Sequence, residues 1–294
     1  MASRPATAAY QGEPGAYSEE AAARFLAGLA SPRRLEGVPC LDFLEVCEAV
    51  ERGRAEFGVL PVENSLQGNI DEATDALAEV DLAVVGEVLL PIRHALVGRP
   101  GAKLKEVKRA HSHPQALKQC GPFLRRQGLL AMPRLDTAEA VRWLAERGTR
   151  ADAAVASERA AKLHGMHVLA RDIAAEVDNT TRFLLIAPDG EGVPRRRKGV
   201  AYKTSIVFGT RNVPGALHRC MGELASRHVN MTKLESRPRR GKPWRYVFFL
   251  DLDGHVEDPR VADAVDALAR RASWFKLLGT YPAAVQGSRP RNGV

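Results

Sequence analysis

Gly58–Ile70 reads GVLPVENSLQGNI, and Asp178–Ala187 reads DNTTRFLLIA. In both, an apolar run meets small polar residues. Glu63, Asn64 and Ser65 close the first run, with Gly68 just beyond; Asn179, Thr180, Thr181 and Arg182 open the second. Short apolar runs bounded by turn-forming residues read as buried strands. Outward from these, strands are expected at Ala8–Gln11, Phe57–Pro61, Leu82–Pro91, Val107–His111, Ala153–Ala156 and Arg182–Ala187. Helix starts fall between them. Ser18 precedes Glu19 and Glu20 as an N-cap before first-turn acids. Asp42 with Glu45, and Asp136 with Glu139, have capping-box spacing. Pro114 suits a first helical turn. Strand–helix alternation up to Ala187 predicts an α/β architecture with mostly parallel sheets. Helices start directly after strand ends at GEPGAYS, VENSLQG and ASER, the carboxyl edges where such sheets bind ligands.

PDGEGVPRRRK, residues 188–198, has glycine, proline and charge without periodicity, and reads as a linker. Beyond it the pattern changes. Strands are expected at Lys203–Gly209, Val229–Arg237, Trp244–Leu252 and Trp274–Tyr281, and helices at Pro214–His228 and Asp258–Ala272. The order β-α-β-β-α-β is the ferredoxin-like split unit.

The chain has 294 residues, 45% hydrophobic and 27% charged, as in ordinary globular proteins. Its apolar runs are too short to span a bilayer, and its N-terminus has no apolar signal core, so no membrane association and a cytoplasmic location are expected. Cys40, Cys47, Cys120 and Cys220 form no CxxC pair and read as free thiols. The net charge of +8 concentrates in Arg195–Lys198, in Arg237–Arg245, and at Arg289 and Arg291. None of these is interleaved with aromatics that could stack on bases, so they read as solvated loops, or as a general attraction for small anions, rather than a nucleic-acid site. His111 with His113, and His164 with His167, lack a third ligand. Walker, GxGxxG and GxSxG motifs are absent from the sequence. Chemistry with no metal and no cofactor is therefore expected.

Six segments, YQGEPGAYSEEAA (10–22), LPVENSLQGNI (60–70), SHPQALKQC (112–120), DTAEA (136–140), AAVASERAA (153–161) and NTTRFLLIA (179–187), resemble prephenate dehydratase in order and spacing. PGALH (214–218) and ESRP (235–238) resemble the two motifs of that family's regulatory ACT domain. Ala16 and Tyr17 stand where the commoner bacterial form has threonine and phenylalanine. There, and in VGEVLLPIRHALVG (85–98), the chain is similar to plant arogenate dehydratases.

The resemblance implies a two-lobed catalytic domain, similar to a periplasmic binding protein, over residues 1–188, with one lobe at about 8–91 and 173–188 and the other at about 92–172. A linker at 189–202, an ACT domain at 203–282 and a tail at 283–294 would follow. The implied reaction is decarboxylation and dehydration of prephenate to phenylpyruvate, with L-arogenate as alternative or second substrate. Thr181 matches the catalytic threonine. Asn64, Ser65, Gly68, Thr137, Ser157, Arg182 and Phe183 are the substrate-binding candidates, with Arg182 suited to grip a carboxylate through its planar fork. Glu63, whose free carboxylate would repel a dianion, is assigned to ordering the loop. Asn212, Gly215, Ala216, Leu217, His218, Glu235, Ser236, Arg237 and Pro238 are the candidates for L-phenylalanine, the implied effector. It would bind between paired ACT domains, which implies a homodimer or homotetramer. A non-catalytic amino-acid sensor is the remote alternative; the intact Thr181-Arg182-Phe183 argues against it.

Overall fold

The computed structural model describes residues 4–29, 31–190, 196–238 and 246–284. Arg195, Trp244, Arg289, Arg291 and most of the 237–245 basic stretch lie outside the described residues.

The chain begins β1 (Ala6–Gln11), α1 (Tyr17–Gly28), β2 (Leu35–Cys40), α2 (Phe43–Glu51), β3 (Phe57–Asn64), β4 (Gly68–Asn69), α3 (Asp71–Glu79) and β5 (Leu82–Pro91). It then crosses to β6 (Ala95–Gly98), β7 (Arg109–Ser112), α4 (Pro114–Gln119), α5 (Gly121–Arg126), β8 (Leu130–Pro133), α6 (Thr137–Arg147), β9 (Asp152–Ala156), α7 (Glu158–Leu163) and β10 (His167–Ala170). It returns as β11 (Thr180–Pro188). The first sheet has the order β2-β1-β3-β11-β5, with β4 on β3; the second has the order β10-β6-β9-β7-β8. β1 runs parallel to β2 and β3, and β7 parallel to β8 and β9. β6 is antiparallel to both β9 and β10, so the second sheet is mixed rather than mostly parallel.

Local chemistry explains most helix starts. The Asp42 side chain accepts from Glu45 N, and the Glu45 carboxylate reaches back to Leu41 N. Asp136 accepts from both Ala138 N and Glu139 N at 2.7 Å. α1 departs from expectation: its N-cap is Ala16, and Ser18 is buried inside the first turn. The crossing segments are laced together, Ile173 N donating to His94 O and Ile92 N to Asn179 O, with Arg93 and Asp172 paired at 3.1 Å.

Contacts divide the chain into two compact units, Met1–Leu77 with Val88–Leu184, and Ala78–Glu87 with Leu185–Val294. The expected lobe boundaries put residues 78–87 and 185–188 with the first lobe; by contacts they group with the second unit.

The second unit contains β12 (Tyr202–Gly209), α8 (Ala216–Ala225), β13 (Met231–Pro238), β14 (Tyr246–Asp253), α9 (Pro259–Arg271) and β15 (Trp274–Pro282). Its sheet, β13-β14-β12-β15, is antiparallel throughout. Ile206, Phe208, Leu250 and Leu252 on one face pack with Leu224, Val261 and Leu268 of the helices. Each such side chain contributes about 1.5–3 kcal/mol by leaving water. The opposite face carries polar groups. The Ser205 hydroxyl donates to Asp251 Oδ1 and lies 2.6 Å from the Tyr281 hydroxyl. Lys203 reaches Glu87 of β5 at 3.0 Å, and Glu87 also accepts from Ala284 N at 2.7 Å. At Gly279 (φ 155) a Cβ would run into the Val84 backbone, so only glycine permits this approach.

Candidate active site

In the first unit a cavity of about 470 Å³ is lined from strand ends and the segments that follow them: Gln11 closing β1 and Gly12 after it, Asp42 after β2, Asn64 closing β3, Ile92 and His94 after β5, His113 after β7 and Asp136 after β8. Thr181 and Phe183, on β11, complete one wall. That is the carboxyl-edge placement the alternation of elements predicts. Gly15 (φ 96) shapes the turn into α1, and a Cβ there would stand 3.0 Å from Ala160 Cα, too near for most side chains.

Asn64 organises the wall. Its Oδ1 accepts from Leu66 N at 3.0 Å and Gln67 N at 3.2 Å, which fixes which end of the amide is oxygen. Its nitrogen then donates to Asn179 Oδ1 at 2.7 Å and to Thr181 Oγ1 at 2.9 Å. Thr181 is 7% exposed, and Asn64 is its hydrogen-bond partner among the described residues. Its oxygen accepts, so its own proton is left to point into the cavity. Ser65 braces the same corner, its hydroxyl donating to Asp178 O and accepting from Thr180 N.

Asn179 passes the series on, donating to Gln119 Oε1 at 3.0 Å. That oxygen lies 2.9 Å from His94 Nε2. Nδ1 of His94 lies 3.1 Å from the Tyr17 hydroxyl, which donates to Arg93 O at 2.6 Å. Burial pulls the His94 pKa below its ordinary value, against the Gln119 hydrogen bond, and burial pushes the Tyr17 phenol well above its own. The cavity wall carries carboxylates at Asp42, Glu72 and Asp136, and among the described residues neither lysine nor arginine lines it. α1, α2 and α6 present their N-termini to it at Tyr17, Phe43 and Thr137. At α2 and α6 the caps Asp42 and Asp136 already accept from first-turn N–H groups, whereas α1 has no side-chain cap and its N-terminus favours an anion. Among the described residues no cluster of three or more His, Cys, Asp or Glu is placed to hold a metal ion, and no helix is long and apolar enough to cross a membrane.

Of the residues expected here, Asn64, Thr137, Thr181 and Phe183 line the cavity. Ser65 and Gly68 do not; Ser65 holds the loop, and Gly68 pairs with Asn64 at the β3–β4 turn. Ser157 is spent as the N-cap of α7, accepting from Ala160 N, and donates to Gly15 O. Arg182 is also off the wall. Alternation along β11 sends Thr181 and Phe183 to one face and Arg182 to the other, where its guanidinium is buried 3.9 Å from Glu63. Tyr17, His94, Gln119 and Asn179 were not among the expected site residues, although all four lie inside the quoted segments.

The second unit has a cavity of about 390 Å³ lined by Asn212, Gly215, Ala216, Leu217 and His218, with Tyr246 and Phe248. Gly215 (φ 74) turns the chain into α8. Ser236 and Pro238 sit opposite Phe248 and Tyr246 in the ladder, one strand away from the wall. Glu235 and Arg237 are off the wall too, with Glu235 buried 3.3 Å from Lys233.

The profile of the family described as Prephenate dehydratase matches residues 8–191, and that of the ACT domain matches residues 204–270. An Arabidopsis thaliana protein named arogenate dehydratase/prephenate dehydratase 2, chloroplastic, is 40% identical over 93% of this chain and 72% of its own length. A bifunctional N-acyl-homoserine lactone acylase/prephenate dehydratase of Komagataeibacter europaeus is 36% identical over 96% of this chain and 98% of its own. The crystal structure of prephenate dehydratase in complex with L-Phe from Arthrobacter aurescens superposes with a TM-score of 0.84 at 32% identity, covering 96% of this chain and 93% of that one.

Proposed function

Because the chain belongs to the prephenate dehydratase family, we propose that the first unit's cavity converts prephenate to phenylpyruvate, a hydro-lyase reaction. The ring carboxylate leaves as carbon dioxide. Its electron pair enters the ring, and the hydroxyl on the opposite ring carbon departs with the electrons of its C–O bond. One dianion becomes phenylpyruvate monoanion, carbon dioxide and hydroxide, and a proton turns the last into water. Aromatisation drives the reaction, so the protein's work is orientation and help for the departing oxygen.

The observation that carries this reading is the polarity at Thr181. Asn64 donates to Thr181 Oγ1, which leaves the threonine proton free to hydrogen-bond the departing hydroxyl. A donor aimed beforehand at an oxygen that gains charge is the largest usual contribution to such catalysis. The N-terminus of α1, which has no side-chain cap, receives a carboxylate without a lysine or arginine on the wall. Phe183 supplies an apolar surface for the ring.

L-arogenate is the second reading, favoured by the relatives' names and by the carboxylates at Asp42, Glu72 and Asp136, which suit an ammonium. Incubating the protein with each compound and identifying the products tests both. Phenylpyruvate from prephenate supports the main reading, phenylalanine from arogenate alone replaces it, and no product from either overturns both.

The cavity of the second unit is assigned to L-phenylalanine, with the N-terminus of α8 taking its carboxylate and Tyr246 and Phe248 its ring. Two such domains side by side would complete the pocket, making the active form a dimer or a pair of dimers. Calorimetry with L-phenylalanine and sedimentation of the same sample test effector and assembly separately.

A further inference from the structure

Tyr17, His94, Gln119, Asn179, Asn64 and Thr181 come from separate parts of the chain and form one hydrogen-bonded series. Its proton directions can be counted from the end that is fixed. Asn64 Oδ1 faces two backbone N–H groups, so its nitrogen donates to Asn179 Oδ1. Asn179 therefore turns its nitrogen to Gln119 Oε1. The same oxygen stands 2.9 Å from His94 Nε2, which must then carry a hydrogen. At the far end Tyr17 has one proton and two neighbours, Arg93 O at 2.6 Å and His94 Nδ1 at 3.1 Å. A carbonyl can only accept, and 2.6 Å is the length of a hydroxyl donating to it. With that proton spent, the contact to Nδ1 is satisfied when Nδ1 also carries a hydrogen. Two donating ring nitrogens define the imidazolium, so the partners of His94 are laid out for the charged form, which burial opposes until an anion arrives.

We propose that His94 is a positioning residue that takes up a proton as the dianionic substrate enters the cavity. Its imidazolium then supplies the cation the wall otherwise lacks and pins Gln119, and through it Asn179, Asn64 and Thr181. This rests on the reading that the cavity takes prephenate.

The surroundings agree. His94 is 3% exposed, and burial opposes its charge. No carboxylate shares a hydrogen bond with it among the described residues. On α1, Tyr17 stays neutral, with Glu20 and Cys120 acting on it. Arg93 beside it is paired with Asp172, and Ile173 N holds the His94 carbonyl. From α4 come Gln119 and the Cys120 thiol, which burial pushes up to about 12. His113, Asp42, Glu72 and Asp136 share the cavity. An incoming dianion outweighs these carboxylates locally and raises the proton affinity of the imidazole. Above the pKa of the free site, binding must then draw in a proton. KM rises with pH, by up to about tenfold per unit, until the pKa of the complex is passed.

The test is calorimetric titration of prephenate into the Thr181→Val protein at pH 8, in two buffers of different ionisation enthalpy, beside KM–pH profiles of the active enzyme. Uptake approaching one proton per site is expected. His94→Gln keeps a neutral donor for Gln119 and should bind with no uptake and a flat KM profile. Tyr17→Phe removes the acceptor of Nδ1–H and should shift the rise in KM to lower pH, which decides the matter should His94→Gln fail to fold. Binding without uptake, uptake that survives in His94→Gln, or an unmoved profile in Tyr17→Phe overturns the inference and leaves the role of Thr181 standing. If prephenate neither binds nor turns over, the functional reading falls and takes the inference with it.

Discussion

Asn64→Asp is nearly isosteric, yet it reverses the direction of hydrogen bonding at Thr181. One carboxylate oxygen still accepts from Leu66 N and Gln67 N, as Oδ1 does now. The other replaces the nitrogen, 2.9 Å from Thr181 Oγ1 and 2.7 Å from Asn179 Oδ1. Oxygen then faces oxygen in both directions. Thr181 relieves this by turning its proton onto the introduced carboxylate, away from the cavity. Asn179 can relieve its own contact only by flipping, which sets its oxygen against Gln119 Oε1 at 3.0 Å. Losing one preorganised donor costs ~10²–10³ in kcat, or about 2.7–4 kcal/mol. The strengthened bonds to Leu66 and Gln67 offset part of the unsatisfied pair, leaving about 1–2 kcal/mol of lost stability. That is a fall in Tm of a few degrees, on a scale of about 2–4 °C per kcal/mol for a domain of this size. Phenylpyruvate formation at saturating prephenate and a thermal melt measure the two effects. A folded Asn64→Asp enzyme with kcat within about threefold of the parent would refute the claim that Thr181 acts by an aimed proton.

Thr181→Val should lower kcat by ~10²-fold or more, while Thr181→Ser keeps most of it; equal rates for the two would remove the hydroxyl from the mechanism. Asp152 is buried against its charge, but hydrogen bonds from Arg109, Thr149 and His111 prevail and hold its pKa well below the usual carboxylate range. A depressed pKa gives stability that is present above about pH 4 and lost as pH falls, so Asp152→Asn should cost about 2–4 kcal/mol in urea melts at pH 7 and much less near pH 2. Gly279→Ala forces a methyl group into the Val84 backbone and should lower Tm by several degrees; an unchanged melt would mean that β15 shifts freely. Gly215→Val strains the left-handed turn before α8 and crowds Arg219, so calorimetry should show weakened L-phenylalanine binding while kcat for prephenate is kept.

The β-α-β-β-α-β unit was legible because each element keeps its period: Leu217, Met221 and Leu224 mark one face of α8, and KTSIVFG marks β12. The strands that escaped were chiefly edges. β2, β8 and β10 border their sheets, and LEGVPC and LAMP show little burial and no alternation, since only one side of such a strand needs to be apolar or paired. β6 was lost differently: ALVG is only four residues long and buried throughout, so it shows no alternation to read. Thr181 and Asn64, singled out at strand ends and given roles by the resemblance, both line the cavity. Arg182 was named for its planar fork, and a fork alone does not say which face of β11 carries it. His94 and Gln119 lay in quoted segments, but a buried polar pair contributed by a crossing segment and a helix leaves no spacing to read.

β5 supplies residues to both compact units, those up to Glu87 grouping with one and Val88–Pro91 with the other. The boundary between the units therefore has no single cut point in the gene. A C-terminal fragment beginning at Val200 would lack Glu87, leaving Lys203 and Ala284 N without their shared carboxylate, and Gly279 without the strand its bare backbone fits. Shuffling this regulatory module between enzymes, by recombination or by design, would need a transplant of residues 78–87 along with it. Domain exchange at the linker alone predicts insoluble halves, whereas exchange that carries the short upstream stretch predicts a foldable one.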